Sequence, residues 1–180
     1  MGQRRWLQAW LALLLVLFLL SVGWRNLPEE QSQARYEEPL YEYTHDGGPA
    51  SITGGHVYRG SDVPSLVGRY VFGDFTLGSI WALDRTDNAS EVELLVDSLE
   101  DPGWEARLSA STFGVDDAGE LYVADWSGTI WRFTEASGSV VLVDAFPGLQ
   151  FEHPVGLVAT GDDRICVVEQ PGRIICLQSG

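Results

Sequence analysis

Three stretches of the sequence can be laid over one another, and together they decide the fold. They are RYVFGDFTLGSIWAL (Arg69–Leu83), ELYVADWSGTIWRF (Glu120–Phe133) and RICVVEQPGRIICL (Arg164–Leu177). Each consists of an alternating apolar strand, an acid, a turn with one glycine and a returning strand, which is the pattern of a β-hairpin. The turn glycines recur 50 and then 44 residues apart. A repeat of that period with only strands inside it is typical of propeller blades.

Further strand-like runs flank the hairpins. ITGGHVYRG, SASTFGV and PVGLVAT precede them, and EVELLVDSL and SVVLVDAF follow the first two. Four short antiparallel strands in each unit make a propeller blade. We therefore predict an all-β chain that forms a partial β-propeller, with two complete four-stranded blades over residues 40–140 and an incomplete blade over residues 141–180.

Three blades are too few to close a ring, since propellers typically have 4–8. The chain is then a gene fragment, a module that assembles with the missing blades from another chain, or a compact stack with exposed faces. A fragment is the favoured interpretation, because the third unit stops at Gly180 and no polar capping segment follows it.

Residues 1–24 indicate export from the cytoplasm. Two arginines precede the apolar run Leu11–Leu20, and small residues follow it. This order fits a cleaved signal peptide, whereas the longer stretch 6–24 fits an uncleaved hydrophobic helix that anchors the chain in a membrane. Either alternative places the rest of the chain on the extracytoplasmic side. Residues 25–39, with two prolines and four glutamates, are predicted to be a linker.

The charge of the chain excludes several classes of function. The formal net charge is −15, and all eleven basic residues are arginines. An acidic surface repels phosphate backbones, so nucleic acid is not expected as a partner. Without lysine, the chain has neither a Schiff-base lysine nor a P-loop lysine. It also has no HExxH, GxSxG, GxGxxG or paired CxxC motif, so the common hydrolase, zinc and dinucleotide-binding functions gain no support.

Part of the sequence resembles a known family. The segment Pro39–Leu83 contains TGGHVYRG and then LVGRYVFGDFTLGSIWAL, and it resembles the late blades of the glucose/sorbosone dehydrogenase-like family. That family includes soluble PQQ-dependent sugar dehydrogenases and Hedgehog-interacting protein and its relatives. Ser111–Phe133 resembles the next stretch of the same family. Ala145–Leu177 is similar to the opening of the family's catalytic domain, so the resemblance is partial and out of order, as in a rearranged gene or a junction of two tandem copies.

The resemblance implies that the complete parent protein oxidises a sugar hydroxyl. In the family a histidine acts as the base, and Ca²⁺ and basic residues hold PQQ. The catalytic histidine and the calcium loop belong to middle blades that this chain lacks, so no catalytic residue and no metal ligand is carried over. PQQ and Ca²⁺ are therefore expected in the complete family member, and this chain alone is expected to bind neither. The second hypothesis is a noncatalytic extracellular module that binds protein or carbohydrate, as the Hedgehog-interacting relatives do.

Arg59 is the one cofactor-binding candidate that the resemblance implies. It stands in VYRG, where members of the family place a basic residue near the cofactor, and a guanidinium can bind a carboxylate through two hydrogen bonds. The alternative is a surface ion pair with Asp62 or another acid, an interaction of small energy.

Other side chains that could suggest a site are predicted to be structural. The three histidines have no nucleophile or metal ligand at a recognisable spacing; they are His45, His56 and His153. Each hairpin also has an acid at the end of its first strand: Asp74, Asp125 and Glu169. One carboxylate from each blade cannot supply the 6–8 oxygens of a calcium site. These acids are therefore predicted to accept turn N–H groups and to keep the hairpin ends solvated. Tryptophans predicted to pack between blades are Trp81, Trp126 and Trp131.

The third hairpin contains both cysteines of the chain, Cys166 and Cys176. If Pro171 centres the turn, the two lie directly opposite each other and can form a disulfide, which an oxidising compartment would permit. The alternative register places them diagonally, as two small buried residues. Asn88 begins the sequon Asn-Ala-Ser in a predicted loop, and it is a glycosylation site if the host glycosylates its secreted proteins.

Overall fold

The computed structural model describes residues 39–44, 48–85, 90–100, 104, 106–170 and 172–178. Over these residues the chain is built from strands, with a short 3₁₀ helix at Pro64–Leu66. The strands form two four-stranded sheets and one three-stranded sheet, all antiparallel, and strands that are neighbours in sequence are neighbours in the sheet. The predicted all-β fold, a partial propeller of two complete blades and one incomplete blade, is confirmed.

The first sheet contains β1 (Ile52–Val57), β2 (Tyr70–Asp74), β3 (Ser79–Arg85) and β4 (Ser90–Asp97). The second sheet contains β5 (Ala110–Val115), β6 (Leu121–Asp125), β7 (Ile130–Ala136) and β8 (Ser139–Asp144). The third sheet contains β9 (Pro154–Ala159), β10 (Arg164–Glu169) and β11 (Arg173–Gln178). The predicted hairpins are therefore β2–β3, β6–β7 and β10–β11. Strand β8 crosses the predicted boundary at residue 140 and belongs to the second sheet, because it pairs with β7 along its whole length.

Two apolar cores lie between the sheets, because side chains alternate from one face of a strand to the other. The core between the first and second sheets includes Ile80, Phe113 and Phe133. The core between the second and third sheets includes Ile130 and Val167. The second sheet therefore buries both of its faces, as a blade inside a propeller does.

The first strands of the three sheets lie side by side and are joined by hydroxyl groups. Thr53 Oγ1 in β1 donates to the carbonyl oxygen of Ala110 in β5 at 2.7 Å. Ser111 Oγ in β5 donates to the carbonyl oxygen of Pro154 in β9 at 2.5 Å. In both sheets the donor is the second residue of the first strand and the acceptor is the first residue of the next sheet, so the same hydrogen bond is repeated from blade to blade.

Several predictions concern residues that the structure does not describe. The signal peptide or anchor over residues 1–24, its hydrophobic helix, and the linker up to residue 38 lie outside the described residues, as do His45 and Asn88. Within the part of the chain that is described, no helix is long and apolar enough to cross a membrane.

Candidate functional site

The acid at the end of each hairpin's first strand ties the turn to the loop that precedes the same sheet. Asp74 Oδ1 accepts the N–H groups of Thr76 and Leu77 at 2.6 and 2.7 Å. Its Oδ2 accepts the N–H of Ser51, just before β1, at 2.7 Å and the hydroxyl of Tyr43 at 2.5 Å. Burial would raise the pKa of Asp74, but the hydrogen bonds from Tyr43 and from the three N–H groups outweigh it. They hold the pKa below its ordinary value of 3.8.

Asp125 repeats this arrangement, and Glu169 repeats only the bond to the preceding loop. Asp125 Oδ1 accepts the N–H of Ser127 in the turn at 3.0 Å and that of Ser109, before β5, at 3.3 Å. Glu169 Oε1 accepts the N–H of Glu152, before β9, at 2.8 Å. All three carboxylates are buried, so the prediction that they keep the turns solvated is wrong. Each is instead an internal anchor of its blade, which removes it as a ligand for a metal ion.

A fourth buried carboxylate, Glu120, holds the loop after β1 against the second sheet. Its Oε2 accepts the Tyr58 hydroxyl at 2.5 Å, and its Oε1 accepts the N–H groups of Ser61 and Asp62 at 2.7 and 3.1 Å. A Cβ atom at Gly60 would lie 2.5 Å from this carboxyl group. Packing thus explains two residues of the string VYRG. Its tyrosine donates a hydrogen bond to Glu120, and its glycine has no side chain that would clash with the Glu120 carboxylate.

Arg59 lies in the same loop with its side chain exposed. Asp62, which sequence reasoning offered as its partner, instead forms an ion pair with Arg132. Among the described residues no acid forms an ion pair with Arg59. Its guanidinium is therefore available to a ligand at the end of the blades where Glu120 lies.

The described histidines are not part of a reactive cluster. His56 lies half-buried in β1. His153 stacks on Trp126, with ring centroids 4.5 Å apart, and its Nδ1 lies 3.1 Å from the Trp126 carbonyl oxygen. Because a carbonyl only accepts, this geometry places a proton on Nδ1. The contact joins the loop before β9 to the turn of the second sheet.

The three tryptophans of the hairpins have different surroundings. Trp131 packs against the core between the first two sheets, as predicted. Trp126 lies at the turns, between the rings of Phe75 and His153. Trp81 lies on the outer face of the first sheet, stacked on Phe72 and facing Tyr43, so no second blade of the described residues packs on it.

A cleft of ≈ 560 Å³ opens between the outer strands of the first and second sheets, and we call it the tryptophan cleft. Trp104 and Trp131 line it, with their rings edge to face at a centroid distance of 5.3 Å. Leu95, Val140 and Leu142 supply its apolar wall. Its size is that of a small-molecule site, and its lining mixes apolar and polar surface in similar amounts.

The polar groups of the tryptophan cleft are few. Trp131 Nε1 is buried, and no group in the described residues accepts a hydrogen bond from it. Asp97, Asp125 and Ser127 also line the cleft. Asp97 Oδ1 accepts the N–H groups of Leu99 and Glu100, and the bonds given above for Asp125 all end on its Oδ1. The cleft therefore combines flat aromatic rings with the carboxylate of Asp97, and the Trp131 ring that lines it carries a buried N–H without an acceptor in the described residues.

Sequence reasoning missed Trp104 and the cleft. Trp104 stands alone in the polar stretch EDPGWEARL, where no periodic pattern indicates a partner. The one available signal was a large aromatic residue in an otherwise polar loop, since such a residue is often part of a binding surface.

The described residues do not by themselves fit a PQQ and calcium site. They contain no group of three or more His, Cys, Asp or Glu side chains placed to hold a metal ion. Asp74, Asp125 and Glu169 are occupied within their blades, and Arg59 is a single cation for a ligand with three carboxylates. We therefore derive no reaction step through that cofactor.

Cys166 and Cys176 lie directly opposite each other in the β10–β11 pair, and the structure joins them by a disulfide. The diagonal register is therefore not the one formed. The pair is on the face of the third sheet that points away from the second sheet.

No protein-family model matches the chain. Among solved structures, the chain is similar to a protein of unknown function from Bacteroides thetaiotaomicron, at 19% identity over 61% of this chain and 32% of that chain, with a TM-score of 0.44. It is also similar to virginiamycin B lyase from Staphylococcus aureus, at 19% identity over 78% of this chain and 44% of that chain, with a TM-score of 0.43. A catalytically inactive form of that lyase with quinupristin gives 20% identity and a TM-score of 0.41. The chain spans less than half of the length of each.

Proposed function

We propose that this chain is a noncatalytic, extracytoplasmic propeller module that binds neutral carbohydrate in the tryptophan cleft. The observation that carries the proposal is the Trp131 indole N–H, which is buried beside a cleft and has no acceptor in the described part of the chain. A buried donor without a partner is costly, and a tilt of the Trp131 ring toward the cleft would bring its N–H to a ligand oxygen.

The chemistry of the lining selects the class of ligand. Trp104 and Trp131 offer ring surface to C–H groups, Trp131 offers a donor, and Asp97 offers an acceptor to hydroxyl groups. A net charge of −15 and two acids at the cleft disfavour an anion. An uncharged polyhydroxyl compound meets all of these conditions, and a sugar is the common biological example.

Two features support an extracytoplasmic location. The arginines before the apolar run Leu11–Leu20 are typical of an export signal. The Cys166–Cys176 disulfide is a bond that persists in oxidising compartments.

Isothermal titration calorimetry of the full chain with neutral mono- and oligosaccharides such as glucose, maltose and cellobiose tests the binding function. We expect saturable binding, weakened about fivefold by Trp131→Phe, because this change keeps a ring and removes one hydrogen bond of about 1 kcal/mol. Trp126→Phe is the matched control, since Trp126 does not line the cleft, and it should leave affinity unchanged. The proposal fails if the wild-type chain binds no sugar of the panel, or if Trp131→Phe binds as tightly as the wild type.

Arg59 supports a second candidate function. Its guanidinium is exposed and has no acid partner among the described residues, which supports a role near a carboxylate cofactor, as the resemblance to PQQ-dependent sugar dehydrogenases implies. On this proposal the chain is a part of a larger protein that oxidises a sugar hydroxyl. Equilibrium dialysis of the chain with PQQ and Ca²⁺, read by the absorbance of retained PQQ, tests it. Retention that Arg59→Gln reduces supports the role, and no retention by the wild-type chain removes it for this chain.

A further inference from the structure

One isoleucine of each hairpin shows how the blades are matched. Ile80, Ile130 and Ile174 occupy equivalent positions, two residues after the turn glycine. Ile80 and Ile130 are 0% and 1% exposed, because each packs against the sheet that follows. Ile174 is 68% exposed. The same side chain that joins two blades earlier in the chain thus has no partner in the described residues.

Ile174 belongs to a continuous apolar surface, which we call the aliphatic face. Ile165 and Val167 of β10 pack toward the second sheet, so the residues that alternate with them point the other way. The aliphatic face consists of Val158, Val168, Ile174 and the disulfide Cys166–Cys176. Val158 is 57% exposed.

The first sheet has a partly covered surface on its opposite side, which we call the aromatic face. It consists of Tyr70, Phe72, Trp81, Leu94 and Ile52, and it lies opposite the face of Ile80. Tyr41 and Tyr43 pack on Phe72 and Trp81 but leave much of Leu94 and Ile52 exposed. Trp81 has the same position in its hairpin as Trp131 has in the second hairpin. Trp131 is on the face of the second sheet that packs against the first sheet.

Both interfaces inside the chain therefore join the same two kinds of surface. At each interface, the earlier sheet presents the face that carries Ile80 or its equivalent, Ile130. The later sheet presents the face that carries its residue equivalent to Trp81. The described residues leave one surface of each kind unmatched, the aliphatic face and the aromatic face. The residues that define the two faces are uncharged, so contact between them brings no like charges together in spite of the net charge of −15.

We propose that two copies of this chain associate head to tail, with the aliphatic face of each copy on the aromatic face of the other, and that this closes a ring of six blades. Such an interface joins two different surfaces, and it gives a closed ring or an open fibre according to its rotation. Propeller rings typically contain 4–8 blades. Since the described residues of each copy form three sheets, two copies give a number of blades within this range.

Analytical ultracentrifugation of the full chain, in a mild nonionic detergent that keeps the N-terminal apolar segment in solution, tests this proposal. The wild type should sediment as a species of twice the 19.8 kDa chain mass. Ile174→Asp in the aliphatic face and Leu94→Asp in the aromatic face should each weaken association at least tenfold, because each buries an unpaired charge at the contact. Val143→Asp is the control, since Val143 is 43% exposed and belongs to neither face. Urea unfolding of each variant checks that it is folded.

Mixing the two variants separates the proposal from its alternatives. Ile174→Asp and Leu94→Asp should restore a dimer when mixed, because one of the two contacts then joins two intact faces. The proposal is overturned if the wild type stays monomeric, if it forms species larger than a dimer, or if both variants remain dimeric. It is also overturned if Leu94→Asp has no effect while Ile174→Asp abolishes the dimer, since that result means that identical faces pair.

Discussion

Glu120 shows how much one side chain can organise when its carboxylate is buried. It accepts hydrogen bonds from Tyr58, Ser61 and Asp62, residues that lie about sixty positions earlier in the chain. Burial alone would raise the pKa of Glu120, but these donors and the nearby charge of Arg132 outweigh burial. They hold the pKa below its ordinary value of 4.5. Burial and the bond to Glu120 also raise the pKa of Tyr58, so its hydroxyl stays a donor at neutral pH.

The lowered pKa of Glu120 makes stability depend on pH. As pH falls, Glu120 of the unfolded chain binds a proton near the ordinary pKa of 4.5, whereas Glu120 of the folded chain binds one only at lower pH. The stabilisation from Glu120 is therefore fully present above about pH 4.5 and is lost below it. We expect the free energy of unfolding to fall as the pH decreases below about 4.5. Glu120→Gln should lower it by about 2 kcal/mol at neutral pH and should show a smaller fall toward low pH. Urea unfolding followed by tryptophan fluorescence measures both.

Glu91→Gln is the control for this prediction, because Glu91 is exposed on β4. Its unfolding curve should match that of the wild type at neutral pH. Equal pH dependence in Glu120→Gln and the wild type would show that Glu120 does not carry the effect.

At the scale of the hairpin, the turn glycines differ in what surrounds them. Gly128 and Gly172 have φ angles of +113° and +121°, so both adopt a backbone that other residues avoid. A Cβ atom at Gly128 would lie 2.3 Å from the carbonyl oxygen of Phe151, whereas one at Gly172 would meet nothing within 4 Å. The loop before β9 closes over the second turn, and nothing in the described residues closes over the third.

This difference gives a matched pair of substitutions. Gly172→Ala should cost the strain of its backbone alone, about 1–2 kcal/mol. Gly128→Ala should cost about 2 kcal/mol more, because the Phe151 carbonyl must move. Thermal and urea unfolding of the two variants measure the difference. Equal losses of stability would mean that the loop before β9 is not held against the turn as described.

The hairpins could be predicted from the sequence because their signals are local. In Arg69–Leu83 the alternation, the acid and the glycine are all within fifteen residues. The contacts that the sequence did not predict join distant positions, such as Tyr58 with Glu120 and Trp104 with Trp131. Sequence patterning predicts that an acid ends a strand, but it does not predict that the loop before the same sheet will cover that acid. Asp74 and Asp125 are therefore buried against expectation.

For the whole molecule, the net charge of −15 is the dominant long-range electrostatic contribution to stability. Most acids are at the surface and repel one another, and this repulsion destabilises the compact state. Salt screens it, since the Debye length falls from about 30 Å at 0.01 M to about 8 Å at 0.15 M ionic strength. The stability of the chain is therefore coupled to ionic strength.

We expect the melting temperature at neutral pH to rise when NaCl is increased over that range. The rise should largely vanish near the sequence pI of ≈ 4.3, where the net charge is close to zero. Differential scanning calorimetry at the two pH values makes the comparison. A melting temperature that falls with salt at neutral pH would show that surface ion pairs such as Arg69–Glu93 outweigh the repulsion.

The hydroxyl bonds between first strands have a direction, since Thr53 and Ser111 are both donors to the sheet that comes next. In the third sheet the corresponding second residue is Val155, which has no hydroxyl. The units are therefore not interchangeable. If such a gene grew by duplication, an added copy of the first or second unit would bring its own bond to its successor, whereas an added copy of the third would not. A longer chain would thus fold best if it arose by duplication of the first or second unit.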